Sequence, residues 1–424
     1  MHRFLILTIL TLFCTNASAQ TGKTDRATYI PKRKYPVLDE LKEVNKKAKK
    51  AEEDATSAIK KKQKKEKEAK KKKAKELTFS LTDYRLPAMK DFQSVYHFPP
   101  VAQYLTGTCW SFAATSFLES EIVRKTKKKI KLSEMHTVYY EYIEKARRYI
   151  RERGKSHFDE GSESNAVTRI ARQYGVVPAA AYVGVVSKDK RHNHGRMVKL
   201  LKKVLAFAKA NNLWDEALVL KLCRAVLDKY MGAPPVSFKY ANRRYTPKQF
   251  AKKMLRLAPE EYVEVMSTLK SPFYSKAEFE APDNWWHSKD YHNLPLDEFY
   301  GLLKKAIAAG HTVAIGGDVS EPGKQGEKDV ALIPSYDIRA EDIDQSAREY
   351  RISNGSTADD HLVHLVGFVH HAGHDWFLAK DSARSARLGP NKGYYFFRAD
   401  FIKLKMLTYT VHRDILKPLL PKFR

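Results

Sequence analysis

The sequence predicts an α+β fold in two lobes, one helical and one an antiparallel sheet, with a helical insertion between them. Three observations carry this expectation. After Cys109, the residues Trp110, Ala113, Ala114, Phe117 and Leu118 recur at the i, i+3, i+4, i+7 and i+8 positions of an apolar helical face. Far downstream, Asp360 to Phe368, Trp376 to Lys380 and Gly393 to Phe397 are short apolar runs bounded by Gly, Pro and Asn, as strands are. The 424 residues are ample for a large core.

At the N-terminus, Met1, His2 and Arg3 are followed by an apolar run from Phe4 to Phe13 and the small residues Ala17, Ser18 and Ala19, the pattern of a secretory signal peptide over 1–19. That run is about half the length a bilayer-spanning helix needs, so export without a stable membrane span is expected and a secreted or periplasmic location follows. Residues 20–76 read as a polar, disordered leader followed by a Lys-rich helical or tether segment. Within it Leu41 to Glu76 holds sixteen lysines against seven acidic residues, a net of +9 within a formal charge of +28 for the chain. Such a segment is a solvated face or a weak contact for polyanions, and no recognisable nucleic-acid motif accompanies it.

The folded part is expected from Leu77 to Leu416, with 417–424 a short tail. Phe79 to Gln103 reads as mostly extended. Thr108 is placed to cap a buried helix opened by Cys109 and ending near Lys125. The thiol would then face unpaired backbone N–H groups and the positive end of the helix dipole, which favour a thiolate nucleophile. Gln103, six residues earlier, carries an amide able to donate to an oxyanion. A second helix runs from Leu132-Ser133-Glu134 to Ile150, and a third from Asn165 to Tyr174, stopped by Gly175. Between about 188 and 309 the pattern is mainly helical, with Val198 to Asn211, Leu213 to Met231 and Thr246 to Leu257 as the candidates. Cys14 leaves with the signal, so Cys109 and Cys223 remain. One disulfide between them is open, but a free Cys109 is preferred because Gln103 and Trp110 have no role in that pairing.

Pro100, Val101, Gln103, Cys109 and Trp110 stand in the register of the papain-like cysteine peptidases, which the window resembles. His361, with Val366, Gly367 and Phe368 following it, is similar to the histidine window of that superfamily, and Asp381-Ser382 stands where it has Asn-Ser. His364 does not fit the spacing, and on a period-two strand it points away from His361. Gly232 to Phe238, Tyr245 to Phe250, Asn293 to Glu298 and Val313 to Val319 resemble the bleomycin hydrolase and aminopeptidase C branch. The resemblance implies a two-lobed peptidase with Cys109 as nucleophile, His361 as base, Asp381 orienting it and Gln103 at the oxyanion. Gly161, Ser162, Trp110 and Asp360 would contact a peptide or protein substrate. A homo-oligomer is also implied. The chain departs from the pattern at Ala383 and Arg384, where the family has Trp-Gly, and at Thr106, where many members have a further cysteine. No cofactor is expected, and His370, His371 and His374 sit in a Gly-containing hairpin that suggests no metal site. The alternatives are a catalytically silent binding protein on the same fold, or a polyanion-binding protein acting through its basic segment.

Overall fold

The computed structural model describes residues 25–423, and the chain divides into two compact units, one up to Lys75 and one from Glu76 onward. The expected signal peptide and Cys14 lie outside the described residues. Among its described residues the first unit holds one helix, α1 (Pro36–Lys73), with no buried residue. Pro36 suits the first turn, and Ala, Glu, Lys and Gln, with no Gly or Pro inside, favour helix throughout. The helix therefore starts earlier than the apolar seam suggested and continues through the lysine-dominated stretch. Ion pairs one turn apart, such as Lys42 with Asp39 at 3.2 Å, add small increments.

In the second unit the helical layer is α2 (Cys109–Thr126), α3 (Glu134–Arg151), α4 (Asn165–Tyr174), α5 (Gly195–Ala210) and α6 (Glu216–Met231). Ser133 caps α3 by accepting from the His136 amide at 3.1 Å, and Asp215 caps α6 through Leu218 at 3.0 Å. Gly175, at φ 79°, ends α4. Helix α2 is buried nearly all round, Ser116, Glu119 and Glu121 included, which makes it the central helix. A seventh helix, α7 (Leu296–Ala308), lies on the other side of the sheet.

The eleven-stranded sheet is built on β1 (Tyr262–Met266), β2 (Tyr291–Asn293), β3 (Val313–Gly317), β4 (His361–His371), β5 (His374–Lys380), β6 (Tyr394–Arg398) and β7 (Met406–His412). Their spatial order is β2-β1-β7-β3-β4-β5-β6, with short strands completing the edges. From β1 to β6 through β7 all pairings are antiparallel; β1 and β2 pair in parallel. The strand period sorts β4: Leu362 packs into the helical core beside Phe117, whereas Val363 and Leu365 pack with Phe299 and Leu303 of α7. The β4–β5 hairpin turns at Ala372 and Gly373, both at positive φ, as a two-residue hairpin loop requires.

The insertion at 188–309 is less helical than its sequence pattern suggests. Thr246 and Gln249 form a capping box, but the helix lasts one turn, Pro247–Gln249, before passing into a π turn at Phe250–Met254. Beyond it β1 and β2 leave the helical layer and join the main sheet. The stretch from Phe79 to Gln103 is largely irregular, with only a two-residue strand at Gln93–Ser94.

Candidate active site

Thr108 occupies the cap position of α2, but its hydroxyl hydrogen-bonds Thr106 Oγ1 at 2.7 Å and leaves the helix start uncapped. Cys109, half-buried, is the first residue of the helix, where backbone amides have no intrahelical acceptor. Cys223 is free as well, buried in α6 among the core residues, so the disulfide alternative falls. Burial pushes the Cys223 thiol up to about 12.

His361 opens β4 and Asp381 directly follows β5, so the two adjacent strands deliver them to the same end of the sheet. Nε2 of His361 donates to Asp381 Oδ1 at 2.8 Å, which leaves Nδ1 for the neighbouring Cys109. The same carboxylate oxygen accepts from the Ala383 amide at 2.8 Å. Burial, the largest influence on His361, opposes its charged form, but Asp381 and then Cys109 outweigh it and raise the pKa to about 10. Asp381 is likewise buried, yet the His361 charge, its hydrogen bond and Lys324 hold it well below the usual carboxylate range. His364, expected to point away from His361, also meets α2 but further along it: its Nδ1 accepts from the Ser116 hydroxyl at 2.8 Å, and Lys380 Nζ donates to that same hydroxyl at 2.7 Å.

Gln103 is held from three directions. Its amide N–H donates to Ser382 O at 3.0 Å, its Oε1 accepts from the Ser382 hydroxyl at 2.7 Å, and its Nε2 donates to Thr106 O at 2.7 Å. One Nε2 hydrogen remains for the cleft. That cleft, about 330 Å³, is lined by Gln103, Cys109, Trp110, Gly161, Ser162, Asp360 and His361, so all the candidate residues except Asp381 border one space, and Asp381 stands behind the imidazole. Trp110 is buried and its indole N–H donates to Glu160 O at 3.0 Å. Ser162 turns its hydroxyl inward to Glu141 at 2.7 Å. Asp360 accepts from the Val319 amide at 2.9 Å.

Several neighbours carried no local sequence signal. Lys324, from a two-residue strand, brings Nζ to 4.0 Å from Asp381 Oδ2. Asp159, Glu160, Asp283 and Asp359 line the cleft together with Asp360, and among the described residues no Lys or Arg does. Burial raises Asp283, Asp360 and Glu160, and burial with Asp283 and Asp360 nearby raises Asp359 to about 8. Asp283 lies against Gly161 in the space a β-carbon there would need.

No family model matches the chain, and no curated protein matches it in sequence. Among solved structures it is similar to PepW from Lactobacillus rhamnosis, at 18% identity and a TM-score of 0.60, over 80% of this chain and 86% of that one. A second match is a structure bearing on the mite allergens Blo t 1 and Der p 1, at 13% identity and a TM-score of 0.37, over 79% of this chain and 74% of that one. Together with the helical layer packed on the sheet, the PepW match shows that the chain has the papain-like α+β fold.

Proposed function

We propose that the chain is a cysteine peptidase with Cys109 as nucleophile, His361 as its acid–base partner and Asp381 as the group that orients the imidazole. The observation that carries this is a cleft bordered by Cys109 at a helix start and by His361, whose Nε2 is committed to Asp381 at 2.8 Å. The Cys109 thiol gives its proton to Nδ1, and the sulfur adds to the carbonyl carbon as the C=O electron pair moves to oxygen. The oxyanion takes the remaining Nε2 hydrogen of Gln103 and the Cys109 amide. Collapse breaks the C–N bond, the leaving amine takes the proton from His361, and a thioester remains. Water then attacks with His361 as base, and the Cys109 sulfur departs and regains its proton.

Gly161 lines the cleft with its carbonyl taken by Lys145, which leaves its N–H for a substrate backbone, and the acidic lining favours substrates that bring positive charge into the cleft. Export under the 1–19 segment belongs to the same proposal. Restriction to free amino termini by the chain's own end has no support in the described residues. Phe423 meets the rings of His292 and Tyr274 edge to face, at 5.0 and 6.1 Å between centroids, and among the described residues the cleft lining includes nothing after Leu362.

The test pairs Cys109→Ala with a thiol-directed peptidyl probe. Hydrolysis of small peptides should vanish, the probe should label only the wild type, and stability should change by no more than about 1 kcal/mol. Unchanged hydrolysis in the variant would overturn the assignment, and a loss of several kcal/mol without any wild-type labelling would make Cys109 a packing residue.

A further inference from the structure

A second hollow, about 490 Å³, lies beside the cleft and shares a wall with it. The wall is the Gln103–Ser382 pair: Gln103 lines the cleft, Ser382 lines the hollow, and Ala102 stands in the hollow one residue from Gln103. Three segments build it. The loop through Tyr104 and Leu105 is tied to the loop at Arg191–Asn193 by Leu105 N–H donating to His192 O and His194 N–H donating to Leu105 O, both at 3.1 Å. The third segment is the turn carrying Arg384 and Arg387.

The chemistry of this hollow is the opposite of the cleft's. Arg191, Arg384 and Arg387 line it against a single carboxylate, Asp189, which is already occupied by the Ser187 hydroxyl at 2.7 Å and the Arg191 amide at 3.3 Å. Arg387 places Nε and Nη2 in buried positions with no hydrogen-bond partner among the described residues. A guanidinium is the side chain best shaped to take a carboxylate through two parallel N–H bonds, and leaving its buried donors unmade is costly. Tyr104 and Leu105 meanwhile expose 52% and 67% of their surfaces at the same place, Tyr104 at a φ of 53°. Apolar surface beside unpaired guanidinium groups, one residue from the cleft, fits an apolar peptide residue followed or accompanied by a carboxylate.

We propose that this hollow is a subsite for a carboxylate of the peptide substrate, either its C-terminus or an Asp or Glu side chain, with Arg387 as the anchoring cation and Arg384 and Arg191 around it. This rests on the peptidase assignment for its substrate. The cleft and hollow then bracket the reacting centre with opposite charge, so a bound peptide has its cationic part over the aspartates and its anionic part over the arginines.

The test is direct binding to the full chain carrying Cys109→Ala, so that it reads whether or not the wild type is a peptidase. The probes are one N-acetylated alanine–leucine tetrapeptide as free acid, as C-terminal amide, and as the amide with an internal glutamate. The free acid, the glutamate peptide or both should bind on the order of ten-fold tighter than the neutral amide, and whichever does so names the source of the carboxylate. Adding Arg387→Gln should bring the ratio of acid to amide affinity toward one, and the exposed Arg384→Gln should lower it in part even if the Arg387 variant fails to fold. Equal binding of all three peptides, or a ratio unmoved by both substitutions, overturns the subsite. If the affinity ratio holds while the wild type neither hydrolyses peptides nor reacts with the thiol probe, the peptidase assignment fails and the carboxylate site stands.

Discussion

Lys324 Nζ stands 4.0 Å from Asp381 Oδ2, the carboxylate oxygen that His361 does not use. Asp381 therefore lies between two cations, with Lys324 also seated over the Tyr395 ring at 4.8 Å. This second cation accompanies Ala383, a small residue whose amide donates to the other Asp381 oxygen, Oδ1.

The first prediction concerns that pairing. With His361 raised to about 10 by Asp381 and Cys109, against the opposing effect of burial, its imidazolium persists to alkaline pH and is lost as pH rises through that value. Asp381→Asn keeps an acceptor but removes the charge, so the alkaline limb of kcat/KM should move to lower pH while activity survives. Asp381→Ala removes the acceptor too and should cost tens-fold or more, about 2 kcal/mol. Profiles of kcat/KM against pH for both variants that superimpose on the wild type would remove Asp381 from the site.

Gly161 supplies a second. A β-carbon there would overlap the Asp283 carboxylate, and Lys145 Nζ donates to the carbonyls of Asp159 and Gly161 on the same turn, so the turn has little room to shift. Gly161→Ala should lower kcat/KM about ten-fold or more, chiefly through KM, by moving the turn or Asp283. Adding Asp283→Ala should recover much of the loss. Full activity in the single variant would show that the substrate does not run along this turn.

Glu264 gives a prediction for stability. It sits mid-strand in β1, buried, accepting from Ser164 at 3.0 Å and Thr410 at 2.8 Å, and burial raises it to about 8 against those two hydroxyls. Below about pH 4.5 the folded and unfolded chains both hold this proton. Between that value and about 8 the folded chain binds it more, so stability contributed here falls as pH rises, and above 8 the full cost of a buried carboxylate is present. Glu264→Gln should therefore raise Tm by a few degrees at pH 8 and by less at pH 5. Equal shifts at both pH values would mean that the carboxylate is not the origin of the effect.

The last concerns α1. Its lysines are solvated along the whole helix and no residue is buried, so a chain starting at Leu77 should fold and keep its activity on a small neutral peptide. Retention on heparin should weaken, with a smaller dependence on salt. A chain that cannot fold without residues 25–76 would instead assign the segment a part in folding.

The parts legible in the sequence were those whose partners are near in the chain or whose spacing is strongly periodic. The apolar face after Cys109 and the runs around His361 and Trp376 announced α2, β4 and β5 because one stripe and one alternating set of residues are buried. Strands β1 and β2 were hidden because they are short and because Glu264 puts a charge where alternation calls for a neutral residue; its hydroxyl partners are 100 and 146 residues away. Likewise the arginine hollow draws on residues near 104, 191 and 387, and Lys324 reaches Asp381 from 57 positions earlier in the chain. Such groups meet only through the fold.

Seven residues beyond Cys109, about 10 Å along the helix, the Ser116 hydroxyl joins α2 to the strand that His361 opens and the strand that Asp381 follows, through His364 of β4 and Lys380 of β5. This buried junction acts as a rivet across the two lobes, so Cys109 and His361 cannot part by hinge bending without stranding three polar groups in the interior. On heating, loss of activity should coincide with the calorimetric transition rather than precede it, and inactivation becomes a measure of global cooperativity.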